Sequence, residues 1–185
     1  MIELVQSLNY WLALGTIALQ LAAAYLLIDY FFPRFRIGRR ATVLVDRYAL
    51  QLVFVVATAV AVLTLVYSEV FGFIPCGLCW MERVFLYPIP FAVGLAIVRR
   101  TAAGYISAVA DIGMLLSVIG GVIALYHHYI QMGGAAFAAC PTAGEGADCA
   151  RRIIFEFGYV TFPLMAVSVF VFIFVVLLRA RRAGV

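Results

Sequence analysis

Cys76 and Cys79 are separated by two residues, and Arg83 follows one helical turn after Cys79. A Cys-x-x-Cys pair closes into a small disulfide and reopens, which is more typical of a redox couple than of a structural crosslink. In a helix, Cys79 and Arg83 share a face, because residues four apart lie one above the other. A cation on that face and the positive end of a helix both favour a thiolate. The segment therefore predicts a reactive dithiol at a helix start.

A second cysteine pair, Cys140 and Cys149, encloses a polar run rich in small residues. The residues before it, 133–139, are uncharged and small apart from Phe137. Such a peptide suits an extended conformation in the groove of a partner protein, where it presents Cys140 for attack. If both pairs lie on one side of a membrane, thiol–disulfide exchange can pass electrons from the loop pair to the Cys-x-x-Cys.

The composition indicates what positions these cysteines. Hydrophobic residues make up 66% of the 185, charged residues 12%, and the mean hydropathy is +1.11, which excludes an ordinary soluble domain. A helix needs about 20 apolar residues to span a bilayer. Five stretches qualify, at about residues 8–32, 48–71, 78–98, 105–126 and 158–178. The first is too long for a signal-peptide core and no basic residue precedes it, so we expect it to be retained. These patterns predict one all-α transmembrane domain over residues 1–185, with a redox loop at 127–157.

The basic residues predict the orientation. All 13 are arginines, and ten lie in alternate connecting segments. The ten are Arg34, Arg36, Arg39, Arg40, Arg47, Arg99, Arg100, Arg179, Arg181 and Arg182. Cytoplasmic loops carry the excess of basic residues, so the amino terminus is expected outside and the carboxyl terminus in the cytoplasm. All four cysteines then lie on the oxidising side, where disulfides persist. The net charge of +4 reflects this topology and gives no indication of nucleic-acid binding.

Three charged residues within the spans can be interpreted structurally rather than as parts of a functional site. Arg83 is either a ligand contact or an interfacial side chain whose head reaches the lipid headgroups. We expect Glu82 to pair with Arg83 or to face the headgroups. We expect Asp111 to pair with Arg99 or Arg100 near the cytoplasmic interface.

The motif Cys-x-x-Cys-x-x-Glu-Arg, with a second cysteine pair in the last outer loop, resembles the DsbB/BdbC disulfide-bond formation proteins. The resemblance covers about residues 48–178, and 136–140 is similar to the segment with which that family engages its partner. It implies a four-helix core, to which this chain adds one amino-terminal transmembrane helix. It also implies a bacterial cytoplasmic (inner) membrane protein that takes electrons from a DsbA-like thioredoxin-fold partner and passes them to a bound quinone, ubiquinone or menaquinone.

The same resemblance assigns roles to residues. The catalytic cysteines that it implies are Cys76, Cys79, Cys140 and Cys149. By motif match, Cys79 faces the quinone and Arg83 is the cation beside it. His127 stands where the family has a histidine near the quinone, although His128 is adjacent and the residues alone favour interfacial positions for both. We expect Cys76, at the helix start, to be the more exposed of its pair and to receive the attack of Cys149.

Two other functions are compatible with parts of the pattern. A vitamin K epoxide reductase-like enzyme also combines Cys-x-x-Cys, quinone and a helical bundle, but its loop cysteines precede the Cys-x-x-Cys, whereas here they follow it. A metal-binding membrane protein is the third possibility, since four cysteines and two histidines offer zinc or copper ligands. Nothing in the spacing requires a metal, and Trp80 after Cys79 excludes a Cys-x-x-Cys-His haem attachment. We therefore expect no metal site.

Overall fold

The computed structural model describes residues 2–32, 39–99, 103–136 and 148–183. Within these ranges the chain is helical, with no β-strand and one β-bridge between Glu156 and Val160. The α-helices are α1 (Ile2–Phe31), α2 (Arg39–Arg47), α3 (Ala49–Leu65), α4 (Gly77–Leu86), α5 (Pro88–Arg99), α6 (Ala103–Gln131) and α7 (Phe162–Ala183). A π-helical turn, Val66–Val70, continues α3.

Five segments of the described chain are long and apolar enough to cross a membrane. They are Glu3–Phe31, Ala49–Val70, Gly77–Arg99, Tyr105–Gln131 and Phe162–Arg182. The predicted all-α membrane bundle, with a four-helix core and an additional amino-terminal helix, is thereby confirmed.

Helix boundaries depart from the sequence pattern at three places. The third span is divided at Tyr87, between α4 and α5, because Pro88 and Pro90 have no N–H to donate to carbonyls of the preceding turn; Tyr87 itself keeps helical angles, φ −63° and ψ −35°. Helix α6 continues to Gln131, so the first residues of the predicted 127–157 loop are helical. The last span begins at Phe162 rather than at residue 158. The organisation as a single domain stays a prediction.

Helix α7 lies at the centre of the bundle and packs against α1, α3 and α6. Its buried side chains include Phe170, Ile173 and Leu177. Helices in a bilayer associate through close packing, because lipid tails are as apolar as the helix surfaces. Gly120 of α6 shows how close this packing is, since a Cβ at that position would lie 2.4 Å from the Phe170 ring.

One end of the bundle is held by ion pairs, of which those of the buried Arg179 are the most enclosed. Arg179 of α7 donates hydrogen bonds to Asp46 of α2 at 2.8 and 3.0 Å and to Asp29 of α1 at 2.9 Å. Arg181 pairs with Asp111 of α6 at 2.7 Å. The cation beside Asp111 therefore comes from α7. The predicted pair with Arg99 is not found, and Arg100, the other predicted partner, lies outside the described residues.

The opposite end, here called the cysteine end, brings together five chain segments. They are the start of α1, the π-helical turn, the start of α4, the end of α6 and the start of α7. The buried Tyr67 side chain of the π-helical turn donates a hydrogen bond to Asn9 of α1 and packs edge-on against Phe162. Single π-helical turns within helices are frequent at functional sites.

Candidate functional site

The Cys-x-x-Cys forms the first turn of α4. Cys76 is the N-cap residue, with φ −74° and ψ 171°, and its Sγ accepts a hydrogen bond from the Cys79 backbone N–H at 3.4 Å. This bond satisfies one of the N–H groups that a helix start leaves without a partner. Both thiols are free, and their sulfurs lie 3.0 Å apart. The dithiol is therefore held in the geometry from which a disulfide closes.

Of the two thiols, Cys76 is the one whose pKa is lowered, which favours its thiolate form. Its hydrogen bond with the Cys79 thiol lowers the pKa of Cys76, burial of the sulfur raises it, and the contact with His127 lowers it further. The net shift is downward, so Cys76 keeps its negative charge at a lower pH than an ordinary thiol does. A thiolate is the nucleophilic form of cysteine, and the dithiol is therefore activated.

His127 connects the dithiol to two other parts of the site. The ring is 1% exposed; its Nε2 lies 3.7 Å from Cys76 Sγ and 3.2 Å from the carbonyl oxygen of Cys149. The interfacial position favoured for His127 from the residues alone is wrong, because the end of α6 packs against the start of α4. His128 points elsewhere and contacts Thr161 Oγ1 at 2.8 Å. Of the two histidines, His127 is the one beside the dithiol.

Glu82 orients His127. Its Oε1 accepts a hydrogen bond from His127 Nδ1 at 2.7 Å. We expected Glu82 to pair with Arg83 or to face the headgroups; this was wrong because consecutive helical side chains point about 100° apart. Glu82 points towards α6, whereas Arg83 points towards α3.

Arg83 is buried and only partly satisfied. Its side chain is 8% exposed; Nη2 donates to the Thr64 carbonyl at 2.7 Å, and the guanidinium lies 5.0 Å from the centre of the Trp80 ring. Its Nη1 is buried and has no hydrogen-bond partner among the described residues. An unpaired buried donor costs about 1–3 kcal/mol, and such a group within a membrane span points to a ligand.

A cavity of about 400 Å³ lies beside the dithiol and Arg83. Its walls are largely apolar and come mainly from α1, α3 and α7. The charged and titratable groups collect at the cysteine end and include Cys76, Cys79, Glu82, Arg83, His127, Asp148 and Arg151. Small-molecule sites are typically apolar pockets of about 300–1,000 Å³ with a few placed polar groups. The cavity suits an apolar ligand that carries a hydrogen-bond acceptor at one end.

Cys149 is brought to the Cys-x-x-Cys. It is disulfide-bonded, 1% exposed, and packs in one small hydrophobic cluster with Cys76, Leu78 and Ile130. The expectation that Cys76 is the more exposed of its pair is wrong, since Cys76 is 4% exposed and Cys79 is half-buried. Cys76 is covered because the Cys149 segment and His127 pack over it. Cys140, expected to meet the partner protein, lies outside the described residues.

Gln131 fixes the Cys149 segment to the end of α6. Its side-chain Nε2 donates to the Arg151 carbonyl at 3.1 Å, and its backbone carbonyl oxygen accepts from Arg152 Nε. The sequence pattern did not single out Gln131, Tyr67 or the Thr64 carbonyl. The position of Glu82 did carry a signal. It stands three residues after Cys79, and this spacing places it on the dithiol side of the helix.

Comparison with known proteins agrees with this arrangement. The model of the family "Disulfide bond formation protein DsbB" matches residues 46–180. "Probable disulfide formation protein C 1" of Bacillus anthracis is 36% identical over 108 residues, which are 58% of this chain and 73% of the relative. "Disulfide bond formation protein C" of Bacillus subtilis is 29% identical over 133 residues, 70% of this chain and 91% of the relative. No solved structure matches. The chain therefore belongs to the DsbB family of disulfide bond formation proteins, which are oxidoreductases.

Proposed function

We propose that this protein is a thiol:quinone oxidoreductase that reoxidises a DsbA-like thioredoxin-fold protein and passes the electrons to ubiquinone or menaquinone. The supporting observation is that both thiols and the unpaired Arg83 Nη1 line one largely apolar cavity. A quinone fits these walls, because its ring is apolar and its carbonyl oxygen accepts a hydrogen bond. When bound, a quinone supplies an acceptor for two electrons and two protons.

The residues around the dithiol have separate roles in this reaction. Cys76 and Cys79 lose two electrons and two protons as their sulfurs, 3.0 Å apart, join in a disulfide. With a quinone bound, Arg83 Nη1 would donate a hydrogen bond to an acceptor oxygen and would stabilise negative charge there. The Thr64 carbonyl accepts a hydrogen bond from Nη2, the other terminal nitrogen of the guanidinium. Arg83 is suited to both contacts, because its planar head carries several donors in a fixed fork.

His127 and Glu82 handle protons on the other side of the dithiol. His127 lies beside Cys76 Sγ and is hydrogen-bonded to Glu82. A proton released when the dithiol is oxidised can be held on the imidazole, and the carboxylate stabilises the resulting cation. Glu82 and His127 also line the cavity, so this proton is held next to the place where one is consumed.

The loop pair connects the dithiol to the partner. The partner thiolate attacks Cys140, and Cys149 leaves as a thiolate; the second partner thiol then resolves the mixed disulfide and releases Cys140. Cys149 attacks Cys76 of the oxidised Cys-x-x-Cys, and closure of the Cys140–Cys149 bond leaves Cys76 and Cys79 reduced. Packing of Cys149 and Cys76 in one cluster supports this order. Each exchange conserves the number of disulfides.

The location follows from the charges at the two ends. Arg179, Arg181 and Arg182 lie at the end opposite the cysteines, which we assign to the cytoplasm of a bacterial inner membrane. The amino terminus and the cysteine end then face the oxidising compartment. Membrane-impermeant thiol labelling of reduced intact cells should reach Cys140 and Cys149. Labelling that requires permeabilised cells would reverse the orientation.

Quinone reduction by the purified protein, supplied with a reduced thioredoxin-fold protein, tests the activity. A partner whose second thiol is replaced by alanine should stay joined to Cys140 as a mixed disulfide, because the thiol that resolves it is missing, and Cys140→Ala should abolish that adduct. Cys79→Ser should stop quinone reduction, but the adduct with this partner should still form, because the Cys140–Cys149 disulfide that it attacks is intact. An adduct that mass spectrometry maps to Cys76 or Cys79 would show that the partner bypasses the loop pair.

A metal site is the second candidate, because one sulfur from each of Cys76 and Cys79 and a nitrogen of His127 lie within 4.8 Å of one another. The hydrogen bond from His127 to Glu82 also resembles those made by metal-binding histidines. The sulfurs are only 3.0 Å apart, however, whereas two tetrahedral Zn–S bonds place them about 3.8 Å apart. Metal analysis of purified protein beside a quinone extract decides between the candidates: stoichiometric zinc without quinone would reject the oxidoreductase.

A further inference from the structure

Helix α1, Ile2–Phe31, lies entirely before residues 46–180, the part that matches the family, yet it lines the cavity. Trp11, Gly15 and Leu19 face the cavity, and their spacing of four places them along one side of the helix. No charged residue occurs in α1 between Glu3 and Asp29. The amino-terminal helix thus adds an apolar wall to a site whose reactive groups all belong to the family core.

The cavity lies between α1 and α3. Helix α1 packs along α7, where Gln20 Nε2 donates to Ser168 Oγ at 2.9 Å, and the cavity separates α1 from the facing side of α3. Trp11 of α1 and Val55 of α3 line the cavity, although both side chains are more than half exposed. Residues that line a cavity and are also exposed mark its mouth. The opening at Trp11 and Val55 lies within the membrane-spanning segments and so faces lipid, whereas the exposed lining residues Ile74 and Arg151 mark a second opening at the cysteine end, outside those segments.

Gly15 determines the width of the cleft. A Cβ at position 15 would meet no atom within 4 Å, so the missing side chain leaves open space and no neighbour fills it. Gly15 is exposed and also lines the cavity. A larger residue there would extend into the cleft without displacing the packing between α1 and α7.

We propose that α1 is the fifth wall of the quinone site and that the cleft between α1 and α3 admits the hydrocarbon tail of the quinone from the membrane. The proposal rests on the thiol:quinone activity argued above. The cleft is continuous with the cavity at Arg83, and its polarity falls from a charged donor at one end to apolar side chains at the mouth. That gradient matches a molecule with carbonyl oxygens on its ring and a long apolar tail.

The first test compares Gly15→Leu with Ala18→Leu. Ala18 is exposed on α1 but does not line the cavity, so it is the matched control on the lipid-facing side. KM is measured with a long-tailed quinone and with the same ring lacking the tail. Gly15→Leu should raise the ratio of these KM values, tailed over tailless, by about tenfold or more, since even one methylene group changes binding in an apolar pocket by that factor. The ratio for Ala18→Leu should stay at the wild-type value; equal ratios in all three proteins would overturn the proposal.

The second test uses the unaltered chain and does not depend on activity. A quinone that carries a photoreactive group on its tail is bound to purified protein, irradiated, and mapped by mass spectrometry. Labels should fall on residues 11–19 of α1 and on the facing side of α3, and an excess of unlabelled tailed quinone should remove them. Labels confined to other helices would show that the quinone tail lies elsewhere and would overturn the proposal. If the wild-type protein neither binds nor reduces any quinone, the proposed function itself fails; if it reduces both quinones and only the α1 labels are missing, this inference alone fails.

Discussion

Two arginines at opposite ends of the bundle are equally buried but differently satisfied. Arg83 and Arg179 are each 8% exposed. Arg179 donates to both oxygens of Asp46, to Asp29 and to the Leu26 carbonyl. Arg83 donates to the Thr64 carbonyl, and its Nη1 has no hydrogen-bond partner in the described parts of the chain.

The surroundings of the two side chains explain what each arginine does. A buried charge is tolerated when carboxylates and hydrogen bonds compensate for its lost hydration, as they do around Arg179. No carboxylate forms an ion pair with Arg83 within the described ranges, and a cavity adjoins it. Arg179 is therefore a structural crosslink between α7, α1 and α2, whereas Arg83 is positioned for a ligand. The four predictions below test this contrast, beginning with the largest effect.

Arg179→Leu should lower the free energy of unfolding by about 3–5 kcal/mol, because it leaves two carboxylates without their buried cation. Arg181→Leu is the matched control: its pair with Asp111 is roughly half exposed at both ends and should cost less than about 1 kcal/mol. Unfolding in detergent, followed by circular dichroism, measures both variants. Adding Asp29→Asn and Asp46→Asn to Arg179→Leu should recover part of the loss. Equal losses in the two single variants would contradict the structural role of Arg179.

Arg83→Met should lower kcat for quinone reduction by about 10²-fold, the usual effect of removing one donor to a developing negative charge. The free energy of unfolding should change by less than about 1 kcal/mol, because methionine removes an unsatisfied donor and keeps much of the apolar volume. Arg83→Lys should recover activity only in part, since an ammonium lacks the fork that reaches Thr64 and the cavity together. A variant that unfolds as readily as Arg179→Leu, yet reduces quinone at the wild-type rate while folded, would make Arg83 structural as well.

Removing His127 should shift the titration of Cys76. The His127 contact lowers the pKa of Cys76, so His127→Ala should raise the pH midpoint of thiolate formation by about one unit. The measurement is ultraviolet thiolate absorbance against pH in a protein whose loop cysteines are replaced by serine. His128→Ala is the control and should leave the midpoint unchanged, because His128 contacts Thr161 instead. A downward shift, or equal shifts in both variants, would reject the assignment of His127.

Features that arise within one helix were predictable from the sequence. Hydropathy predicted five spans, and the spacing of Cys76, Cys79 and Arg83 predicted a dithiol at a helix start; the structure confirms both. Contacts between helices were not predictable. Periodicity assigns residues to a face but does not identify the helix which that face meets. Glu82 and Asp111 were consequently given neighbouring partners, whereas their actual partners belong to α6 and α7.

Burial at the cysteine end was missed for a related reason. Cys76 looked exposed because it begins a helix, but a distant segment that carries Cys149 covers it. The Thr64 carbonyl had no signal at all, since every residue has a carbonyl and only the fold determines which one meets a guanidinium. The lining by α1 was partly visible, because Trp11, Gly15 and Leu19 follow helical spacing, but nothing in the spacing indicated a cavity.

The smallest expected effect concerns the hydrogen bond that joins α1 to the cysteine end. Tyr67→Phe removes the hydroxyl that donates to Asn9, and it should lower the free energy of unfolding by about 1 kcal/mol, because a buried amide oxygen is left unpaired. Adding Asn9→Leu removes the second polar group as well, so the double variant should be no less stable than Tyr67→Phe alone. A double-mutant cycle by unfolding in detergent measures this coupling. Independent, additive losses would mean that this bond does not hold α1 against the π-helical turn, and the ion pair of Arg179 with Asp29 would then be the attachment of α1 at the opposite end only.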